Sequence, residues 1–148
     1  MPFEHEIRVT WGDCDPARIV YTPRLPWFAL DAINAWWEHY LGGGWYQLEL
    51  DRGIGMPFVN MSMNFKAPVT PRHRLICTVR PNRMGNSSIG FHVEGWQGGA
   101  MCFDGDFVSV FIDPVSFEKS TPTAHIRGIV EKELARCAEV PLVEDPGA

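Results

Sequence analysis

The sequence predicts an α+β domain in which one long helix packs against an antiparallel sheet. Three observations carry this reading. The stretch from Pro23 to Leu41 repeats apolar residues at steps of three and four. Later stretches alternate apolar and polar residues over strand-like lengths. Glycine and proline punctuate the joins between them.

The elements follow in order. HEIRVTW (His5 to Trp11) sets Ile7 and Val9 against Glu6, Arg8 and Thr10, the alternation of a short strand with one buried face. A helix is expected to begin near Pro23, with Leu25, Phe28, Ala29, Ala32, Ile33, Trp36, Trp37, Tyr40 and Leu41 on a broad apolar stripe. Asp31, Asn34 and Glu38 take the other positions, and Gly42, Gly43 and Gly44 end the helix. So wide a stripe calls for a wrapping sheet. Pro26 removes an N–H early in the helix, so an irregular first turn is expected.

Strands are then expected over Pro57–Phe65, Arg74–Arg80, Ser88–Trp96 and Met101–Ile112. Pro81 implies a bulge or an edge, Gly98-Gly99 a tight hairpin, and Asp113-Pro114 a stop. A terminal helix is expected over Thr123–Ala138, with a loose tail from Pro141. The chain therefore reads as one domain over residues 1–148, with its core at about 5–113 and a terminal helix at about 123–138. The order is strand, long helix, then four strands in a meander.

Composition excludes several classes. Apolar residues make up 45% of the chain, enough for a packed core, and the formal net charge of -5 argues against nucleic-acid binding through bulk positive charge. The N-terminus has no basic segment leading into an apolar one, and no apolar run approaches the ~20 residues that span a bilayer. Cys14, Cys77, Cys102 and Cys137 are scattered without a CxxC, which reads as reduced thiols in a cytoplasmic protein. The histidines show no metal-binding spacing, and neither a metal nor a redox cofactor is expected.

The stretch WGDCDPARIVYTP (Trp11 to Pro23) places Asp13 and Asp15 ahead of the long helix. Asp-x-Asp-Pro alone makes an ordinary Asx-turn. Its location between a strand and a buried helix adds a second meaning. A helix start offers unpaired N–H groups and a positive dipole end. A carboxylate facing such donors suits acyl transfer, in which the donors polarise a carbonyl while the carboxylate attacks it or activates water.

GDCDPARIVYTP resembles the G-D-x-D-x-x-G-I-V-x-x-P signature of the 4-hydroxybenzoyl-CoA thioesterase family, whose fold is the hot-dog: a long central helix wrapped by a five-stranded antiparallel sheet. Trp45 followed by DRGIGMP (Asp51 to Pro57) resembles the family's Trp…E-R-G-I-x-x-x-P segment. The resemblance implies that Asp15 is the catalytic carboxylate and that the Thr22 backbone N–H, with Tyr21 beside it, polarises the thioester carbonyl. It implies that Asp13 holds the loop, and that dimers join their sheets edge to edge with active sites at the interface. Arg18 departs from the family's usual glycine, Thr22 from a common aromatic and Arg24 from a common asparagine. An arginine at position 18 is strained if the backbone there needs positive φ, and it can project into the cleft.

No acidic residue occurs between Asp51 and Glu94, whereas Lys66, Arg72, Arg74, Arg80 and Arg83 do. Such a stretch is commonly a solvated face. It also suits the phosphates of coenzyme A. The family's nucleotide contacts fall around the turn between its third and fourth strands, which corresponds here to Arg83, Ser87 and Ser88. Trp36 and Trp37 are expected in the core or a subunit interface, while Trp45 and Phe58 fit either an acyl pocket or ordinary packing. His73 and His92 read as surface residues.

The first expectation is therefore an acyl-CoA thioesterase, aromatic acyl groups included, that is a homodimer or tetramer with no nucleic-acid or membrane partner. The alternative is a module that binds an acyl-CoA or an acyl-carrier protein without hydrolysing it. A dehydratase of the same fold needs an acid paired with a histidine, and the sequence offers no convincing pair.

Overall fold

The computed structural model describes residues 1–142. Most of the loose tail expected after Pro141 lies outside the described residues. Strands β1 (Phe3–Ile7), β2 (Phe58–Phe65), β3 (Leu75–Met84), β4 (Ser88–Gln97) and β5 (Ala100–Val110) form one antiparallel sheet in the order β1-β3-β4-β5-β2. Helices α1 (Arg24–Leu41), α2 (Trp45–Arg52) and α3 (Ala124–Cys137) complete the fold.

The apolar stripe of α1 forms as the spacing predicts. Leu25, Phe28, Ala29, Ala32, Ile33, Trp36 and Trp37 are buried, and the helix packs on β1, β3 and β4. Trp36 and Trp37 meet edge to face, and both contact the ring of Phe91 on β4. Phe91 therefore faces α1, and its neighbours Gly90 and His92 face the other side of the sheet. Gly42 ends α1 in the left-handed region, at φ 74°.

Several expectations are corrected. The four later strands are not a simple meander. β3, β4 and β5 are, but β2 crosses to the far edge and pairs with β5, because β1 already occupies the free edge of β3. Pro26 does not disturb α1: it is the third helical residue, where the N–H has no partner within the helix in any case. β1 starts two residues earlier than expected and ends at Ile7. β3 runs through Pro81, and the expected bulge falls between Pro81 and Arg83. α2 was not expected, since it buries only Leu48 among its own residues and shows little periodicity. His92 is buried at 6% exposure.

α3 begins at Thr123, whose side chain caps the Ile126 N–H. Its far end is fixed by Arg80, which donates to the carbonyls of Cys137, Val140 and Pro141. Arg127 donates to the carbonyls of Gly85 and Asn86, tying α3 to the turn between β3 and β4.

Candidate active site

The segment from Thr10 to Leu25 is a tight loop that delivers the chain into α1. The Asp13 carboxylate accepts from the Thr10 N–H at 2.9 Å and from the Thr10 hydroxyl at 3.1 Å. Its other oxygen lies 3.7 Å from Arg24 Nε. The Asp13 carbonyl accepts from the Tyr21 N–H at 2.9 Å, which draws the two sides of the loop together. Asp15 is half-buried at the turn. Its Oδ1 accepts from the Ala17 N–H at 2.8 Å, its carbonyl from the Arg18 N–H at 2.9 Å, and its own N–H donates to Ile19 at 3.1 Å. Among the described residues, Asp15 Oδ2 has no hydrogen-bond partner.

Arg18 closes this turn at φ 68°, in the left-handed region where the family's glycine costs nothing. For arginine the same conformation costs about 1 kcal/mol. Its side chain is exposed beside the loop.

A count of backbone donors from Val20 to Pro26 isolates one residue. The Val20 N–H donates to Val69, that of Tyr21 to Asp13, that of Arg24 to Tyr21 and that of Leu25 to Thr22. Pro23 and Pro26 have no N–H. The Thr22 N–H alone in this span has no acceptor among the described residues. Thr22 also lines a cleft of about 270 Å³ with Ile19, Val20, Leu25, Phe65 and Lys66. An open donor at the start of a helix is a group that can stabilise a developing oxyanion; Asp15 belongs to the same loop but is not among the residues that line this cleft.

The remaining candidates lie at the other end of the sheet. Trp45 and Phe58 stack edge to face at 5.4 Å and line an apolar cavity of about 390 Å³ with Leu30, Glu49, Ile54 and Met56. Arg83 donates to Ser88 Oγ at 3.4 Å, and the Ser87 carbonyl accepts from Phe111 where β5 ends. Phe58 is at one end of β2 and Phe65 at the other; at the usual strand rise their separation is about 23 Å. Within one chain, then, Asp13, Asp15, Arg18, Tyr21, Thr22 and Lys66 gather at one end, and Trp45, Phe58, Arg83, Ser87 and Ser88 at the other.

The cationic stretch divides on inspection. Arg80 is buried as the cap of α3, and Arg74 pairs with Glu6 at 2.5 Å. Arg83 lies at the turn that the sequence singled out.

An acid–histidine cluster also exists, contrary to the sequence reading. His92 Nδ1 lies 2.9 Å from Asp106 and Nε2 lies 3.3 Å from Glu94. Asn82 donates to the same Asp106 oxygen at 2.9 Å. Burial works against the charged ring, but hydrogen bonds to Glu94 and Asp106 outweigh it and raise the His92 pKa above its ordinary value. The cluster faces away from α1, so it is on the opposite side of the sheet from Thr22.

The thioesterase superfamily's family model matches residues 30–102. A thioesterase superfamily protein from Jannaschia sp. CCS1 is 51% identical, over 90% of this chain and 93% of that one, with a TM-score of 0.87. The chain belongs to the thioesterase superfamily, and its architecture is the hot-dog fold. Two more distant structures share the fold. A 1,4-dihydroxy-2-naphthoyl-CoA thioesterase from Synechocystis is 17% identical over 88% of this chain and 96% of that one, with a TM-score of 0.79. A DHNA-CoA thioesterase from Staphylococcus aureus is 16% identical over 95% and 96%, with a TM-score of 0.82. A search of curated proteins found no match. Among the described residues no helix is long and apolar enough to cross a membrane.

Proposed function

We propose that the protein hydrolyses acyl-CoA thioesters to a free acid and coenzyme A, using Asp15 and the Thr22 N–H, in a homodimer joined along β2. The observation that carries this is the Thr22 N–H, a backbone donor without an acceptor among the described residues at the wall of a cleft, one short loop from Asp15. Thr22 is exposed, and an open N–H at a helix start is suited to a ligand oxygen. The thioester carbonyl oxygen accepts from it and becomes an oxyanion as the carbonyl carbon is attacked. One such donor is worth about 3–4 kcal/mol in the transition state. Asp15 either takes the proton from an attacking water or attacks the carbon itself, forming an anhydride that water then opens. In both cases the C–S bond breaks and the coenzyme A thiolate leaves and is protonated. Neither route requires a metal or redox cofactor. Asp13 and Tyr21 hold the loop through the bond between them.

The dimer follows from the sheet edge. β2 exposes Val59, Met61 and Phe65, and α1 packs instead over β1, β3 and β4. An uncovered apolar edge strand is a template for pairing with a copy of itself. Antiparallel pairing about a two-fold axis sets the partner's Phe58 end beside this chain's Phe65 end. The partner's Trp45 and Phe58 cavity then continues the Thr22 cleft and holds the acyl group. The partner's Arg83, Ser87 and Ser88, with Lys66 and Arg18 of this chain, rim the mouth where the phosphates of coenzyme A lie.

Release of free thiol from a panel of acyl-CoA thioesters tests the reading. The panel begins with aryl-CoA thioesters, for which the Synechocystis and Staphylococcus aureus neighbours are named, and extends to aliphatic chains and acyl-carrier proteins. Turnover of at least one thioester is expected. Saturable binding without turnover across the panel would leave the binding module as the better description.

A further inference from the structure

The apolar cavity of about 390 Å³ is walled by two segments that are laced together. Gly55, just ahead of β2, and Ile112, just after β5, exchange backbone hydrogen bonds of 3.0 and 2.9 Å. A Cβ at position 55 would lie 2.9 Å from Ile112 Cγ1, so glycine allows this close approach. Beyond Ile112 the chain turns through Asp113 to Glu118, and Pro114 and Phe117 of that turn line the cavity.

The turn is complete without the Phe117 ring. The Asp113 carboxylate accepts from the Val115 N–H at 2.9 Å and from the Ser116 N–H at 3.0 Å. The Phe117 N–H donates to the Asp113 carbonyl at 2.8 Å, the Glu118 N–H to Ser116 Oγ at 3.3 Å, and the Asp113 N–H to the Glu118 carbonyl at 2.9 Å. Every N–H from Asp113 to Glu118 is used inside the turn, and Pro114 has none. Phe117 nevertheless stands at φ 61° and is 74% exposed. A bulky residue seldom enters the left-handed region, which glycine enters freely. An exposed phenyl ring is also unfavourable until something covers it. Two unfavourable features at one residue point to a use for its side chain. Val115 is 91% exposed in the same turn but is not among the described residues that line the cavity.

We propose that Phe117 is a specificity residue: its ring covers acyl groups that fill the cavity, so the protein selects bulky apolar acyl groups over short ones. This rests on the acyl-CoA reading of the cavity. An acyl group that extends through the cavity reaches Phe117 and takes the ring out of water. An acetyl group does not, because its one methyl stays beside the thioester carbon. The ring touches atoms remote from the reacting carbonyl and makes the same contact in ground and transition states, so its effect falls on KM rather than kcat.

Steady-state kinetics on octanoyl-CoA and acetyl-CoA test this in the parent, Phe117→Gly and Val115→Ala. Calorimetric titration with the non-hydrolysable thioethers S-octyl- and S-ethyl-coenzyme A reads binding separately from turnover. Phe117→Gly is expected to raise KM for octanoyl-CoA and Kd for the octyl thioether about tenfold, with acetyl-CoA and the ethyl thioether unchanged. Its urea midpoint should be no lower than the parent's, since glycine relieves the left-handed backbone. Val115→Ala should match the parent throughout. A folded Phe117→Gly protein that keeps the parent's preference for octyl over ethyl would overturn the proposal. So would an equal change for both chain lengths, which marks a structural role, or dissociation of the oligomer in sedimentation velocity, which marks an interface contact. A parent that binds the thioethers but turns over no thioester would refute the hydrolase reading alone, and the thioether affinities would still decide Phe117. A parent that binds neither thioether would refute both.

Discussion

Asp15 accepts a hydrogen bond from the Ala17 N–H at 2.8 Å, so one carboxylate oxygen fixes the turn while the other has no partner among the described residues. That division predicts separable effects. Asp15→Asn keeps an acceptor for Ala17 but removes the charge and the nucleophile. It should lower kcat by about 10²–10⁴-fold or more, with folding and substrate binding retained. Asp13→Asn loses charge against Arg24 and weakens the bonds from Thr10, so it should act through loop geometry with a smaller loss of kcat. Steady-state kinetics of both variants, checked by circular dichroism, measure this. A folded Asp15→Asn enzyme with the parent rate would remove Asp15 from catalysis.

Arg18 stands at φ 68° in the same turn. Glycine adopts that conformation freely, though it also gives the unfolded chain more freedom. The balance predicts that Arg18→Gly raises stability by up to about 1 kcal/mol, read as a higher midpoint in urea. If the arginine side chain contacts substrate, KM rises in the same variant. Loss of stability on this substitution would show that the side chain makes bonds that outweigh the backbone cost.

Arg80 and Arg83 belong to one cationic stretch of sequence but should fail in different ways. Arg80 is buried and caps three carbonyls at the end of α3, so Arg80→Ala should destabilise the fold by about 1–3 kcal/mol with KM little changed in the folded fraction. Arg83 is exposed at the turn between β3 and β4. Arg83→Ala should raise KM for acyl-CoA with kcat less affected, and the difference should shrink at high salt. Urea titrations and kinetics of the two variants decide the matter, and an unchanged KM for Arg83→Ala at low salt excludes it from the site.

The sequence carried much of this and missed the rest for physical reasons. The stripe of α1 was legible because a helix that buries residues from Leu25 to Trp37 must repeat them at helical spacing. The position of β2 was not legible, since alternation in a strand does not state which neighbour it pairs with. His92 looked exposed because it alternates with Phe91 and Val93; on a central strand, however, the outer face is also crowded, here by Glu94 and Asp106. The motif marked the loop around Asp15, but which N–H stays open depends on the Tyr21–Asp13 bond, a fact of geometry rather than residue type. Nothing in the spacing of Trp45, Phe58 and Arg83 revealed that they lie at the opposite end of the sheet from Asp15.

The His92 cluster predicts a pH dependence of stability. Both ring nitrogens face carboxylates, which accept and do not donate, so the folded state favours the protonated ring and its pKa is raised. A raised folded pKa means that the stabilisation is fully present below the ordinary value of about 6.5 and is lost as pH rises through the folded value. Arg80 on the adjacent strand, opposite His92 in register, limits the effect. The melting temperature of the parent should therefore fall relative to His92→Gln as pH increases above about 6.5. Parallel pH curves for the two proteins would contradict the assignment.

The final prediction concerns the shared site. If the partner supplies Trp45 and Phe58, then Asp15→Asn and Phe58→Ala spoil different halves of one site. Each homodimer is inactive or weak. A mixed dimer has one site with both defects and one site with none, because the intact Asp15 of the Phe58→Ala chain faces the intact Phe58 of the Asp15→Asn chain. Unfolding the two variants together at equal concentration and refolding them should give half mixed dimers, and so about a quarter of the parent kcat per chain. Variants mixed without unfolding should recover only as fast as subunits exchange. If each chain contained a complete site, mixing would give no more than the average of the two variants. Activity no higher than that average, after refolding in which mixed dimers are detected by tag capture, would refute the shared site and with it the edge pairing along β2.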